Sequence, residues 1–175
     1  MNRERKINKH NELSQALKKI TYGFYIVTSK NKSEQMATRD DDYIAAGTVS
    51  WVSQASFDPP LVTVAVNKES DLHETIGKSR VFAVNIVGKE GGDMLSSFAK
   101  DSLVEGNKIN GFSFSEGDTG SPILEDVPAY FECELREEVT IGDHSIFVGE
   151  VVGGATRDED AVPLTEWEAD LHYGG

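Results

Sequence analysis

The chain has 175 residues, a formal net charge of −13, 38% hydrophobic residues, eight Phe, five Tyr and two Trp, which is enough for one domain with a real core. An acidic body argues against nucleic acid as a partner, because that binding needs a basic face that releases counterions. The polar start MNRERKINKH lacks the apolar stretch of a secretory signal, and no run approaches the ~20 apolar residues that cross a bilayer, so no membrane is expected and a soluble cytoplasmic protein is.

Charge is uneven along the chain. Residues 1–20 carry six Lys/Arg against two Glu, and residues 132–175 carry twelve Asp/Glu against two Arg. The acidity reads as solubility, so an anionic ligand has to be held by local donors. Cys133 is alone, which removes a disulfide framework and a Cys-based metal site. His10, His73, His144 and His172 are scattered, and no metal is expected.

In chain order, residues 1–10 read as a flexible N-terminus and 11–175 as a single domain. Leu13, Ala16, Leu17 and Ile20 fall at i, i+3, i+4 and i+7 and predict a short helix over Glu12–Ile20, with Asn11 as N-cap. Tyr22–Ser29 is aromatic and β-branched and predicts a strand. Lys30–Asp42 is a polar, acidic loop, and Tyr43–Trp51 the next strand. Leu61–Asn67, LVTVAVN, predicts a strand buried on both faces. Ser70 or Asp71 caps a helix over 72–79, Arg80–Val87 is another strand, and Asp93 caps a second short helix running to Ala99. Gly106, Gly111, Gly117 and Gly120 mark repeated turns in 101–126, where at most short strands are expected. Ala129–Thr140 and His144–Gly153 predict an antiparallel hairpin around Ile141-Gly142-Asp143. Six or more strands with few helices argue for a barrel with helical additions.

The stretch Ala45–Pro60 stands out because Gly47, Thr48, Ser50, Ser53 and Ser56 replace the bulky residues of an ordinary strand. Glycine lets a backbone come close to a ligand, and Ser and Thr donate hydrogen bonds without charge. The run suits a polar, planar, phosphorylated ligand along a sheet edge. The chain has no G-x-G-x-x-G, no phosphate loop (Gly77-Lys78-Ser79 has Leu72 where the loop needs Gly), no H-E-x-x-H and no G-x-S-x-G. Asn67–Asp71 precedes a helix N-terminus, which favours phosphate.

Ala46–Pro60 resembles the flavin reductase-like proteins of the FMN-binding split-barrel superfamily. Leu17–Ser29, Ser70–Ile76, Arg80–Ile86, Pro122–Cys133, Gly142–Val151 and Tyr173-Gly174-Gly175 match the same family in the same order, so the resemblance runs from Leu17 onward. It implies a mainly β fold with short helices: a six-stranded split β-barrel forming a homodimer, with FMN (FAD possible) bound noncovalently near the dimer interface. It implies Gly47, Thr48, Val49, Ser50 and Trp51 at the flavin ring or ribityl chain, and Ser53, Gln54, Ala55 and Ser56 along the ribityl–phosphate part. Asn67, Ser70 and His73 match positions near the phosphate, and Asn85 matches one lining the same pocket. The resemblance implies that Tyr173 closes the pocket near the flavin of the partner chain, and that His144 lies close to the flavin face where a nicotinamide stacks.

Two departures stand out: the long acidic Lys30–Asp42 loop, and Asp71-Leu72 where many relatives have a Thr before His. Asp71 is expected to cap its helix facing away from the ligand. The implied activity is NAD(P)H-dependent flavin reduction, with NADH or NADPH as donor. The alternative is a flavoredoxin-like electron carrier fed by a redox protein partner.

Overall fold

The computed structural model describes residues 11–31, 43–171 and 173–174. The flexible N-terminus expected over 1–10 and most of the Lys30–Asp42 loop lie outside the described residues. The first helix, α1, covers residues 11–17 and ends in a turn at 18–20. Its expected apolar face is turned to solvent, with Leu13, Leu17 and Ile20 all exposed.

Seven strands form one sheet. They are β1 (Tyr25–Asn31), β2 (Tyr43–Val49), β3 (Val52–Phe57), β4 (Pro60–Asn67), β5 (Val81–Ile86), β10 (Ala129–Val139) and β11 (His144–Thr156), in the order β2-β1-β5-β10-β11-β4-β3. All six pairings are antiparallel. Four short strands, β6 (Val104–Glu105), β7 (Lys108–Ile109), β8 (Phe112–Glu116) and β9 (Pro122–Leu124), make a second sheet. Three more helices follow the first: α2 (Asp71–Ser79), α3 (Gly92–Ser97) and α4 (Glu166–Ala169).

The mainly β architecture with short helices is as expected, and the strand count of the main sheet differs from the expected six. The main sheet has seven strands, and no ladder joins its edge strands β2 and β3 among the described residues. Yet these two edges are consecutive in sequence, with Ser50 and Trp51 alone between them. A chain covers at most ~3.6 Å per residue, so the sheet must roll until its two edges meet at this corner. The Ala65 amide donates to the Trp51 carbonyl (3.0 Å) and fastens the corner to β4. What reads in sequence as one long strand is two, broken at the bend.

One core fills the inside of the roll, from Val27, Val49, Val64, Phe82, Cys133 and Phe147, and α2 plugs its end with Leu72 and Ile76. The other core lies outside it, where Ile26, Ile44 and Ala46 meet Met94, Phe98, Phe114 and Leu124 under α3 and the small sheet. Neighbours such as Ile26 and Val27 thus enter opposite cores, as the period-two geometry of a strand requires. β4, expected to be buried on both faces, alternates instead: Val62, Val64 and Val66 are buried while Leu61, Thr63 and Ala65 are half-exposed.

Ser70 caps α2 by accepting from the His73 amide (3.2 Å), so the cap is Ser70 and not Asp71. α3 starts after Gly91 with Asp93 inside it, not capping it. The β10–β11 hairpin forms as expected, through the four-residue connection Thr140–Asp143. Glu132 on β10 is 2% exposed. Its carboxylate accepts from the Asp118 and Thr119 amides (3.1 and 2.9 Å) and from the Thr119 hydroxyl (2.6 Å). Those donors replace the water it loses.

Candidate functional site

A cleft of about 270 Å³ opens where the rolled edges meet. One wall is β2 from Ala46 to Val49, continuing into Ser50 and Trp51. A second is the end of β4 and the start of α2, from Ala65 to Leu72. A third is the Phe98–Ser102 segment, and His144 and Tyr173 stand at the mouth.

β2 is an edge strand, and an unpaired edge leaves amides and carbonyls without partners. Here the segment after α3 satisfies them. The Ser102 hydroxyl accepts from the Ala46 amide (2.8 Å) and bonds the Ala46 carbonyl (3.2 Å). The Thr48 amide donates to the Phe98 carbonyl (3.1 Å), and the Thr48 hydroxyl to the Leu95 carbonyl (2.9 Å). A Cβ at Gly47 would make only an ordinary contact with a Leu72 methyl of α2, at 3.4 Å. Ser50 is 5% exposed, and its hydroxyl is left without a protein partner among the described residues.

At the helix end, Ser70 donates to the Asn67 carbonyl (2.7 Å) and Asn67 Oδ1 accepts from the Glu69 amide (2.9 Å). These side chains shape the turn into α2. The first helical amides, of Asp71 and Leu72, have no intrahelical acceptor and belong to cleft-lining residues. Asp71 turns its carboxylate to the Tyr43 hydroxyl (2.7 Å), which pushes the Tyr43 phenol up to about 12. Lys100 is the one cation among the lining residues, against Glu69, Asp71 and Asp101.

The mouth is aromatic. Trp51 and His144 have ring centroids 5.1 Å apart, and Tyr173 meets Trp51 edge-on at 5.2 Å. His144 Nδ1 faces Asp143 Oδ1 at 2.8 Å, and its Nε2 faces the Tyr173 hydroxyl at 2.9 Å. An ionised carboxylate only accepts, so Nδ1 carries a proton, and the tyrosine hydroxyl pairs with Nε2. The same hydrogen bond holds the Asp143 carboxyl below its ordinary range.

Of the residues expected at a ligand, the cleft brings together Gly47, Thr48, Val49, Ser50, Trp51, Asn67, Ser70, His144 and Tyr173. Six others stand elsewhere in the chain. Ser53, Gln54, Ala55 and Ser56 lie on the edge strand β3, with only local bonds such as Ser53 Oγ to the Gln54 carbonyl. His73 is spent on Ser145 Oγ (2.7 Å) and Glu138 Oε1 (3.3 Å). Asn85 is fully buried and ties three strands together, donating to the Ile26 carbonyl (3.0 Å) and accepting from the Leu124 amide (2.8 Å).

A family model described as the flavin reductase like domain matches residues 17–174. The chain belongs to that family. It is 30% identical over 160 residues to the ferric-chelate reductase (NAD(P)H) of Archaeoglobus fulgidus, covering 90% of this chain and 88% of that one. It is 31% identical over 144 residues to the high molecular weight rubredoxin of Moorella thermoacetica, covering 81% of this chain. The chain spans 59% of that rubredoxin's length and about a quarter of the length of several other curated relatives. Among solved structures, flavin reductase HpaC complexed with NADP+ superimposes with a TM-score of 0.71 at 26% identity, covering 95% of this chain and 97% of that one.

Within this flavin reductase-like chain, sequence reasoning missed the Phe98–Ser102 wall. Its contribution to the edge of β2 is made by one backbone carbonyl and one hydroxyl, which leave no residue-type signature. Asp71 was expected to turn away, and its carboxylate does go to Tyr43, yet the residue still lines the cleft.

Proposed function

We propose that this chain is an FMN-binding flavoprotein that passes a hydride from NADH or NADPH to the flavin. The observation that carries this reading is the meeting, in one cleft, of free amides at a helix start, an unpartnered serine hydroxyl and an aromatic mouth. A phosphate fits the Asp71 and Leu72 amides, where the helix end favours negative charge, with Lys100 opposite. Ser50 and the β2 backbone hold the polar edge of a planar ring, and Gly47 keeps the strand close to it. Trp51 and His144 offer ring faces to a second planar group. The flavin supplies the two-electron chemistry when bound, and FMN is the flavin proposed here. The chain's own residues bind, orient and exclude water.

The rolled sheet reads as a split barrel, and the functional unit as a homodimer. The outward face pairs Ile146 with Ala65 and Val148 with Thr63, half-exposed or exposed and uncharged, beside the open edge of β3. A second copy seated there would bring Ser53–Ser56, and with them the ribityl–phosphate role expected of these residues, to a ligand near the interface. No helix among the described residues is long and apolar enough to cross a membrane, which suits a cytoplasmic reductase.

The test is an anaerobic absorbance scan of FMN-loaded protein before and after NADH, then NADPH. Bleaching of the flavin band within seconds is expected with at least one of them. A second reading, an electron carrier fed by a redox protein, is favoured by the similarity to a protein named as a rubredoxin. A spectrum that stays oxidised with both nucleotides, but bleaches with a reduced protein donor, would select it.

A further inference from the structure

The C-terminal segment reaches the cleft from outside, and its tether is a residue that takes no part in lining the cleft. Tyr22, just before β1, accepts at its hydroxyl from the Tyr173 amide (2.5 Å) and the Gly174 amide (3.2 Å). The Tyr22 backbone is itself fixed to α4: its amide donates to Glu166 Oε2 (2.9 Å) and its carbonyl accepts from the Glu166 amide (3.3 Å). Glu166 is 2% exposed, and its other oxygen has no hydrogen-bond partner among the described residues. One tyrosine therefore grips the helix with its backbone and the chain end with its hydroxyl.

Held in this way, Tyr173 roofs the Trp51–His144 pair. Its ring is edge-on to the indole and its hydroxyl bonds His144 Nε2. Gly174 lies beside Trp51 and Tyr22, where a Cβ would sit 3.7 Å from each. The roof is lightly held, since Tyr173 is 56% exposed and its two backbone bonds share one acceptor. A contact of this strength is reversible on the timescale of surface-segment motion.

The geometry points to a strap: the Tyr173 ring occupies the place of the incoming nicotinamide over Trp51 and His144, and the Tyr22 hydroxyl is its catch. Binding of the dinucleotide requires the strap to lift, so the closed fraction lowers the apparent affinity. This inference rests on the nicotinamide-dependent reading above. Tyr22 acts through the tail, as a positioning residue.

The test uses full-length, FMN-loaded protein with Tyr22→Phe and, separately, Tyr173→Ala. Tyr22→Phe keeps the ring that packs edge-on against Phe24 and removes only the acceptor. Two readouts are taken: amide hydrogen exchange of the C-terminal peptide, and steady-state kinetics against the dinucleotide that wild type uses. Tyr22→Phe is expected to speed exchange of the peptide about tenfold and lower KM about threefold to tenfold, with kcat changing less than about twofold. Tyr173→Ala is expected to lower KM as well. Unchanged exchange in Tyr22→Phe removes the catch, and unchanged KM with faster exchange removes the competition. A KM that rises in Tyr173→Ala makes the tail part of the binding site and also overturns the strap. Each of these leaves wild-type turnover in place, whereas wild type inert with both nucleotides brings down the functional reading and the strap with it.

Discussion

The Ser102 hydroxyl bonds both backbone groups of Ala46, taking the amide at 2.8 Å and the carbonyl at 3.2 Å. A single side chain thereby does what a neighbouring strand would do for the edge of β2, on the wall where the cleft opens. Ser102→Ala leaves both groups to water or to nothing. A loss of about 1–2 kcal/mol is expected from the two bonds, read by urea denaturation, together with weaker FMN binding. Unchanged stability and unchanged affinity would show that the bracket is idle.

Asn85 separates scaffold from site. Asn85→Ala strands the buried Leu124 amide and the Ile26 carbonyl, and about 2–4 kcal/mol of stability should go with them. The folded fraction should still bind FMN with the wild-type Kd, measured by quenching of flavin fluorescence. A selective loss of FMN affinity with stability intact would return Asn85 to the pocket.

Lys100 is expected to discriminate between flavins by charge. Lys100→Gln should weaken FMN about threefold to tenfold and leave riboflavin, which lacks the phosphate, nearly unaffected; the difference should shrink in high salt. Equal losses for both flavins would remove the lysine from the phosphate.

Burial, with Glu132 adding to it, pushes the Cys133 thiol up to about 12. At pH 8 it is therefore a neutral thiol in the core, and thiolate is the reactive form. Native protein should give no thiol signal with a disulfide reagent over minutes, and one equivalent after denaturation in urea. Rapid reaction of the folded chain would contradict this placement.

The Tyr43 phenol, raised to about 12 first by its hydrogen bond to Asp71, offers a probe of the helix start. In Asp71→Ala the hydrogen bond and the carboxylate charge both go, so the phenolate forms at lower pH. Difference absorbance near the phenolate band reads the shift directly; an unmoved titration would mean that the pair does not form in solution.

What the sequence made legible was local. β-branched runs named β1, β4, β5 and the β10–β11 hairpin, and the Ser70 signal placed the start of α2, because each is set by residues within a few positions. The small residues Gly47 and Ser50 marked the cleft for the same reason. The seventh strand was hidden because the bend at Ser50–Trp51 carries no Gly or Pro. His73 and Asn85 are placed at the ligand by the family resemblance, whereas their partners here, Ser145 and Leu124, are 72 and 39 residues away. The burial of Glu132 is not legible either, because the amides that accommodate it come from Asp118 and Thr119, outside its own strand.

The corner where β2 passes into β3 has a consequence for the order of assembly. The β1–β2 and β3–β4 hairpins are both local and can form early. They are brought edge to edge only when β10 and β11 fill the middle of the sheet, and those strands begin at Ala129. Contacts of such long sequence separation are the slow ones to close. Ligand-binding competence should therefore appear last in refolding, after most secondary structure has returned, and nearly in step with burial of Phe147 inside the roll.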